Sequence, residues 1–185
     1  NDKVFSKFIF KNRDKYKRRN FERYDKSPVQ LIQYFIQLIQ QKPDKMNDHE
    51  VTCEWIEQKQ FNASVNNHEL IIDDRFESMG NDKGPRPKPL MLAALAGCNG
   101  MNVISVLKKM RVEVEGLSIK VKGELTDTDP KMYKKVFMDF HFTGINLDKE
   151  KLHKAILLSE EKYCGVSAMF RSFAEIIIDL TVTEK

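Results

Sequence analysis

Cysteine is scarce, with only Cys53, Cys98 and Cys164 in 185 residues. An odd, sparse and widely spaced set does not build a disulfide-stapled secreted scaffold. The four histidines are His49, His68, His141 and His153. Only His49 lies close to a cysteine, four positions before Cys53 and on an expected strand, so no metal site is expected. A glycine-rich phosphate loop and a Ser-His-Asp nucleophile elbow are both missing, and no resident cofactor is expected. The first residues lack an apolar leader with a small-residue cleavage site. A cytoplasmic setting is therefore expected, where a cysteine pair is more often catalytic or metal-binding than a structural disulfide.

Charge of one sign is not in excess over the main body. Residues 1–45 hold 12 Lys/Arg against 5 Asp/Glu, a net of +7, whereas the remaining 140 hold 19 against 22, a net of −3. The body exerts no broad pull on nucleic acid, and no nucleic-acid partner is expected. The first 26 residues interleave Phe5, Phe8, Phe10, Tyr16, Phe21 and Tyr24 with Lys and Arg. A nucleic-acid arm has that composition, and so does a flexible or loosely helical extension, the favoured reading. Ser27-Pro28-Val29-Gln30 reads as a capped helix start, and Pro43 ends the apolar run, giving an amphipathic helix over about 28–42. Two domains follow as an expectation: a basic extension over 1–45 and a self-contained domain over 46–185.

Long apolar runs are limited to one. Leu90–Leu107 is apolar nearly all round and predicts a helix buried on every side. Asn99, Asn102, Gly97 and Gly100 make it a poor bilayer segment, so no membrane is expected. Three short strands precede it, Glu50–Ile56, Phe61–Val65 and Glu69–Ile72, with Asn66-Asn67 as a hairpin turn and a loop over Met79–Pro89. Alternating strands follow at Leu117–Lys122 and Val136–Phe142, joined through a turn at Asp127–Pro130. Asn146–Asp148 caps a helix to about Lys162; a second covers about Gly165–Ala174, and a strand at Ile176–Val182 closes the chain. The order βββ-α-ββ-αα-β predicts an α+β domain with antiparallel sheets around a buried central helix.

Taken alone, Cys98 among Ala94, Leu95, Ala96 and Gly97 reads as a small core hydrophobe, because apolar burial raises a thiol's pKa and silences it. Cys164 precedes a helix, where free N–H groups favour a thiolate, yet a structural role remains open. Cys53, between Thr52 and Glu54, reads as structural.

Two stretches change the weighting. Pro87-Lys88-Pro89-Leu90-Met91-Leu92-Ala93-Ala94-Leu95-Ala96-Gly97-Cys98 resembles the OsmC/Ohr family, with its proline and its Leu- and Ala-rich helix running into a cysteine. Leu158-Ser159-Glu160-Glu161-Lys162-Tyr163-Cys164-Gly165-Val166 resembles the family's second cysteine motif. The resemblance covers about residues 47–184. It implies an intertwined homodimer whose site lies between subunits. It also implies a thiol hydroperoxide reductase in which Cys98 attacks the O–O bond and Cys164 condenses with the resulting sulfenic acid. The partners implied are a hydroperoxide substrate and a thiol or dithiol reductant. By the same resemblance Arg75, in Asp73-Asp74-Arg75-Phe76-Glu77, is the arginine that contacts the attacking sulfur and favours its thiolate.

One position departs from the pattern. Where Ohr-type enzymes carry a glutamate that orients the arginine, this chain has Lys88; Glu77 is the candidate substitute, and Lys88 could itself add positive charge near Cys98. The departure supports an alternative, a non-enzymatic OsmC-like redox sensor or small-ligand-binding module.

Overall fold

The computed structural model describes residues 48–184. The basic extension over 1–45 and its helix over 28–42 lie outside the described residues. Three strands, β1 (Val51–Glu57), β2 (Gln60–Val65) and β3 (His68–Ile72), form an antiparallel meander in the order β1-β2-β3. Asn66 and Asn67 both take positive φ, 49° and 63°, the geometry of a two-residue hairpin whose twist matches its strands. A single 3-10 turn at Phe76–Ser78 and an irregular stretch lead to α1 (Pro87–Lys109). Proline starts this helix three residues before the expected start, because the first turn needs no N–H donor.

The second sheet has the order β4-β5-β6, from β4 (Gly116–Leu125), β5 (Tyr133–Gly144) and β6 (Glu175–Glu184). Between β5 and β6 run α2 (Lys149–Leu158), a π-helical turn at Ser159–Tyr163 and α3 (Gly165–Arg171). Asp148 caps α2, its carboxylate accepting from the amides of Lys151 and Glu150, which holds its pKa below the ordinary value. β4 and β5 are antiparallel, whereas β5 and β6 are parallel. The expected antiparallel pairing holds for β1-β2-β3 and for β4-β5, and the β5–β6 pair departs from it. The helical crossover from β5 returns the chain in the same direction, and only such a connection allows a parallel pair.

The core lies between this sheet and the helices. Val136, Met138, Phe140 and Phe142 point inward from β5 at period two and are fully buried. They meet Leu95, Val103 and Leu107 of α1, Leu152, Ala155 and Ile156 of α2, and Phe170 of α3. Each large side chain removed from water there contributes about 1.5–3 kcal/mol. Gly123 of β4 is required by the Tyr133 ring lying across it, since a Cβ would stand 2.4 Å from that ring.

The expectation that the central helix is buried on every side is corrected. Leu95, Asn99, Val103, Val106 and Leu107 form one buried stripe, while Met101 is 70% exposed. A sheet and two short helices cover only one side of a 23-residue helix. Its other side, with Gly97, Gly100, Met101 and Ile104, borders an open groove of about 850 Å³ against Leu117 and Ile119 of β4. α1 has the length and composition to cross a membrane, but the buried stripe belongs to the core of the domain. The meander exposes apolar side chains too: Trp55 is 65% exposed, and Val51 and Ile56 are also open.

Candidate functional site

α1 places Cys98 one position before the buried stripe residue Asn99, and half-buried. The crossover places Cys164 at the end of the π-helical turn and at the N-cap of α3. The turn forms because the Cys164 amide donates to the Ser159 carbonyl five residues back, at 2.7 Å. This wider turn brings the Cys164 backbone to an extended conformation, φ −86° and ψ 103°, and the sulfur then caps α3 by accepting from the Ser167 amide at 3.3 Å. Cys164 is 3% exposed.

The two cysteines come close although 66 positions separate them in sequence: Asn99, the neighbour of Cys98, donates to Cys164 Sγ at 3.5 Å. Both are free thiols, and Cys164 acts on the Cys98 thiol. Burial pushes the Cys98 thiol above its ordinary pKa, and the hydrogen bond to Cys164 adds to the rise. The amides of Val166 and Gly165 oppose it by donating to the same sulfur. Asn102 Nδ2 lies 3.9 Å from Cys98 Sγ, within the reach of a weak sulfur contact. Five N–H groups face the two sulfurs.

Sequence reasoning did not assign the polar shell of the pair. Asn99 Nδ2 donates to Ser167 Oγ at 2.8 Å, to the Leu95 carbonyl at 3.1 Å and to Cys164 Sγ at 3.5 Å. Ser159 Oγ donates to Asn99 Oδ1 at 3.0 Å. Asn99, Ser159 and Ser167 are all fully buried. Beyond them, the Arg171 guanidinium clamps the π-helical turn, donating to the Glu160 carbonyl at 2.7 Å and pairing with the buried Glu160 carboxylate. The available signal was a polar residue, Asn99, at helical spacing between Leu95 and Val103.

The three charged candidates stand elsewhere in the single chain. Arg75 and Glu77 are exposed at the 3-10 turn after β3, and Lys88 is exposed in the first turn of α1. Arg75 is not among the groups acting most strongly on the Cys98 thiol. Its loop is nevertheless well ordered by a neighbour. The buried Asp73 carboxylate accepts from the amides of Asp74 at 2.7 Å, Asn81 at 3.1 Å and Lys83 at 3.1 Å. Burial alone would raise the Asp73 pKa, and these amides hold it below the ordinary value instead. Cys53 is exposed on β1 and lies outside the pair. Among the described residues no three His, Cys, Asp or Glu side chains gather into a metal-ligating group.

Comparison with known proteins fits this geometry. A sequence model of the OsmC-like protein family matches residues 80–179, which contain both cysteines of the pair. Protein YhfA of Escherichia coli K12 is 30% identical over 123 residues, covering 66% of this chain and 89% of YhfA. The crystal structure of a hypothetical protein from Aquifex aeolicus superimposes with a TM-score of 0.67 at 29% identity, covering 76% of this chain and 99% of that one. An organic hydroperoxide resistance protein OsmC from Legionella pneumophila has the same fold, with a TM-score of 0.59 at 16% identity, covering 75% and 99%.

Proposed function

The chain belongs to the OsmC-like protein family, and from that premise we propose that it reduces hydroperoxides with Cys98 and Cys164 as a thiol redox pair. The observation that carries this reading is that Asn99, the residue next to Cys98, donates to Cys164 Sγ at 3.5 Å, so that both cysteines border one buried polar shell. The Cys98 thiolate attacks one oxygen of the O–O bond. An S–O bond forms as the O–O bond breaks, the departing alkoxide takes a proton to become an alcohol, and Cys98 is left as a sulfenic acid. The Cys164 sulfur then attacks the Cys98 sulfur, a disulfide forms and water leaves. A dithiol reductant restores both thiols and becomes a disulfide itself.

The raised Cys98 pKa calls for a cation beside the sulfur when it reacts. We assign this to Arg75 from a second copy of the chain, with Glu77 as its orienting carboxylate and Lys88 as added positive charge. The active unit is then a homodimer formed by the domain over 46–185. Its support is the exposed apolar side of α1 and the exposed apolar side chains of the meander, surfaces that water covers at a cost in the single chain. The reaction suits a reducing, cytoplasmic setting, in which the pair is returned to thiols.

A second reading, a non-enzymatic redox sensor or small-ligand-binding module, is favoured by the raised Cys98 thiol and by Lys88 in place of the expected glutamate. Steady-state consumption of cumene hydroperoxide with a dithiol reductant separates the two. The proposal expects sustained turnover that Cys98→Ser abolishes. Equal, slow consumption by both proteins would remove the enzymatic reading.

A further inference from the structure

The amide of Asn99 is the one polar side chain of the buried α1 stripe, and its hydrogen bonds run to every element of the Cys164 segment. Its two Nδ2 hydrogens are shared among the Leu95 carbonyl, Ser167 Oγ and Cys164 Sγ. The Leu95 contact ties the amide to its own helix, and the Ser167 contact ties it to α3. On its other side, Asn99 Oδ1 accepts from Ser159 Oγ at the head of the π-helical turn, and the same hydroxyl stands 3.2 Å from the Asn99 carbonyl. A single planar amide thus locks the turn before Cys164 and the helix after it to the residue adjoining Cys98. The amide is fully buried, so each of these bonds forms without competition from water.

We propose that Asn99 is the positioning residue for disulfide closure, holding the Cys164 sulfur where it attacks oxidised Cys98. The inference rests on the redox-pair reading above and deepens it. Asn99 touches neither the O–O bond nor the leaving alkoxide, so it acts on the second step alone. In that step Cys164–SH and Cys98–SOH become a disulfide and water. Closure needs the attacking sulfur in line with the S–O bond. Cys98 is fixed by α1, whereas Cys164 is held by its turn and by its cap on α3. With the amide gone, the Cys164 segment keeps the Ser167 N–H contact, the Arg171 clamp and the Ser159 bond to the α1 backbone carbonyl, but loses the side-chain bonds that hold Cys164 and Ser167 to α1.

The test separates the two steps in the full-length chain. The rate of Cys98 oxidation by cumene hydroperoxide is read in a Cys164→Ser background as sulfenic acid trapped by dimedone. The first-order rate of closure is read by mass spectrometry with both cysteines present. Asn99→Ala leaves the first rate within about twofold and slows closure about tenfold or more, with sulfinic acid accumulating at Cys98. Ser159→Ala and Ser167→Ala, which each remove one anchor of the amide, slow closure less and in the same direction. Val103→Ala, which weakens the same helix face without touching either sulfur, leaves closure unchanged. Diamide-driven disulfide formation supplies a second arm that needs no hydroperoxide. If wild type reacts with diamide but not with hydroperoxide, the hydroperoxide reading falls while the Asn99 comparison still stands. Closure at the wild-type rate in Asn99→Ala, or equal slowing by Val103→Ala, would overturn the positioning role.

Discussion

Cys98, in the middle of α1, and Cys164, at the N-cap of α3, interact across 66 positions of sequence, and Cys164 adds to the rise of the Cys98 pKa. The contact has opposite consequences for the two stages of a redox cycle. It brings the partners of a disulfide together, and it stabilises the protonated form of the thiol that must attack first.

That opposition fixes a pH dependence. Burial, followed by the Cys164 hydrogen bond, raises the Cys98 pKa in the folded chain. The protonated thiol is therefore favoured by folding. The associated stability is complete below the unfolded thiol's pKa and is lost as pH rises through the higher folded value. Alkylation of Cys98 by iodoacetamide should rise at a higher pH than for an ordinary thiol. Cys164→Ala should lower that midpoint, since it removes the hydrogen bond while leaving burial largely intact. A midpoint unmoved by Cys164→Ala would mean the sulfurs do not interact.

Arg75 gives a second prediction. In the single chain it is exposed, and the proposal places it against the Cys98 of a second copy. Arg75→Ala should raise the Cys98 alkylation midpoint further and lower the hydroperoxide rate about 10²-fold or more, a loss comparable to removing a main electrostatic stabiliser. Wild-type rates in Arg75→Ala would take Arg75 out of the site.

The open side of α1 supplies the third. Met101 is 70% exposed beside Gly97 and Gly100, a surface where a charge is harmless in a monomer and costly in an interface. Sedimentation of wild type should give a dimer, and Met101→Glu should give a folded monomer with little activity. A wild-type monomer would contradict the shared site.

The Arg171–Glu160 clamp supplies the fourth. Arg171→Ala leaves the buried Glu160 carboxylate without its guanidinium and frees the turn before Cys164. Because Arg171 is itself partly exposed, the loss of stability should be about 1–3 kcal/mol by urea unfolding, below that for a fully buried pair. A change under a few tenths would show the clamp to be dispensable.

Much of this was legible in the sequence because period and punctuation carried it. Strict alternation over Val136–Phe142 marked the inward face of β5, and Pro87 with Cys98 marked α1 as the family's cysteine helix. The exposure of one side of α1 was not legible, since an all-apolar stretch looks the same whether a core or a second subunit covers it. The parallel β5–β6 pair was not legible either, because strand direction depends on the path of the crossover. Arg75 could be placed in its loop from sequence, but the sequence carries no local signal for what its exposed guanidinium meets. Asn99 stood in plain view as a polar residue in an apolar helix. Its partners, Ser159 and Ser167, lie 60 and 68 positions away and become visible only in three dimensions.

The central claim is that Cys98 and Cys164 form one redox pair, and mass spectrometry of the full-length chain after one equivalent of cumene hydroperoxide tests it most directly. The account predicts an intramolecular Cys98–Cys164 disulfide, with Cys53 still a free thiol and a trapped sulfenic acid at Cys98 when Cys164 is replaced by Ser. A disulfide that involves Cys53, or a Cys98 thiol left intact, would contradict it.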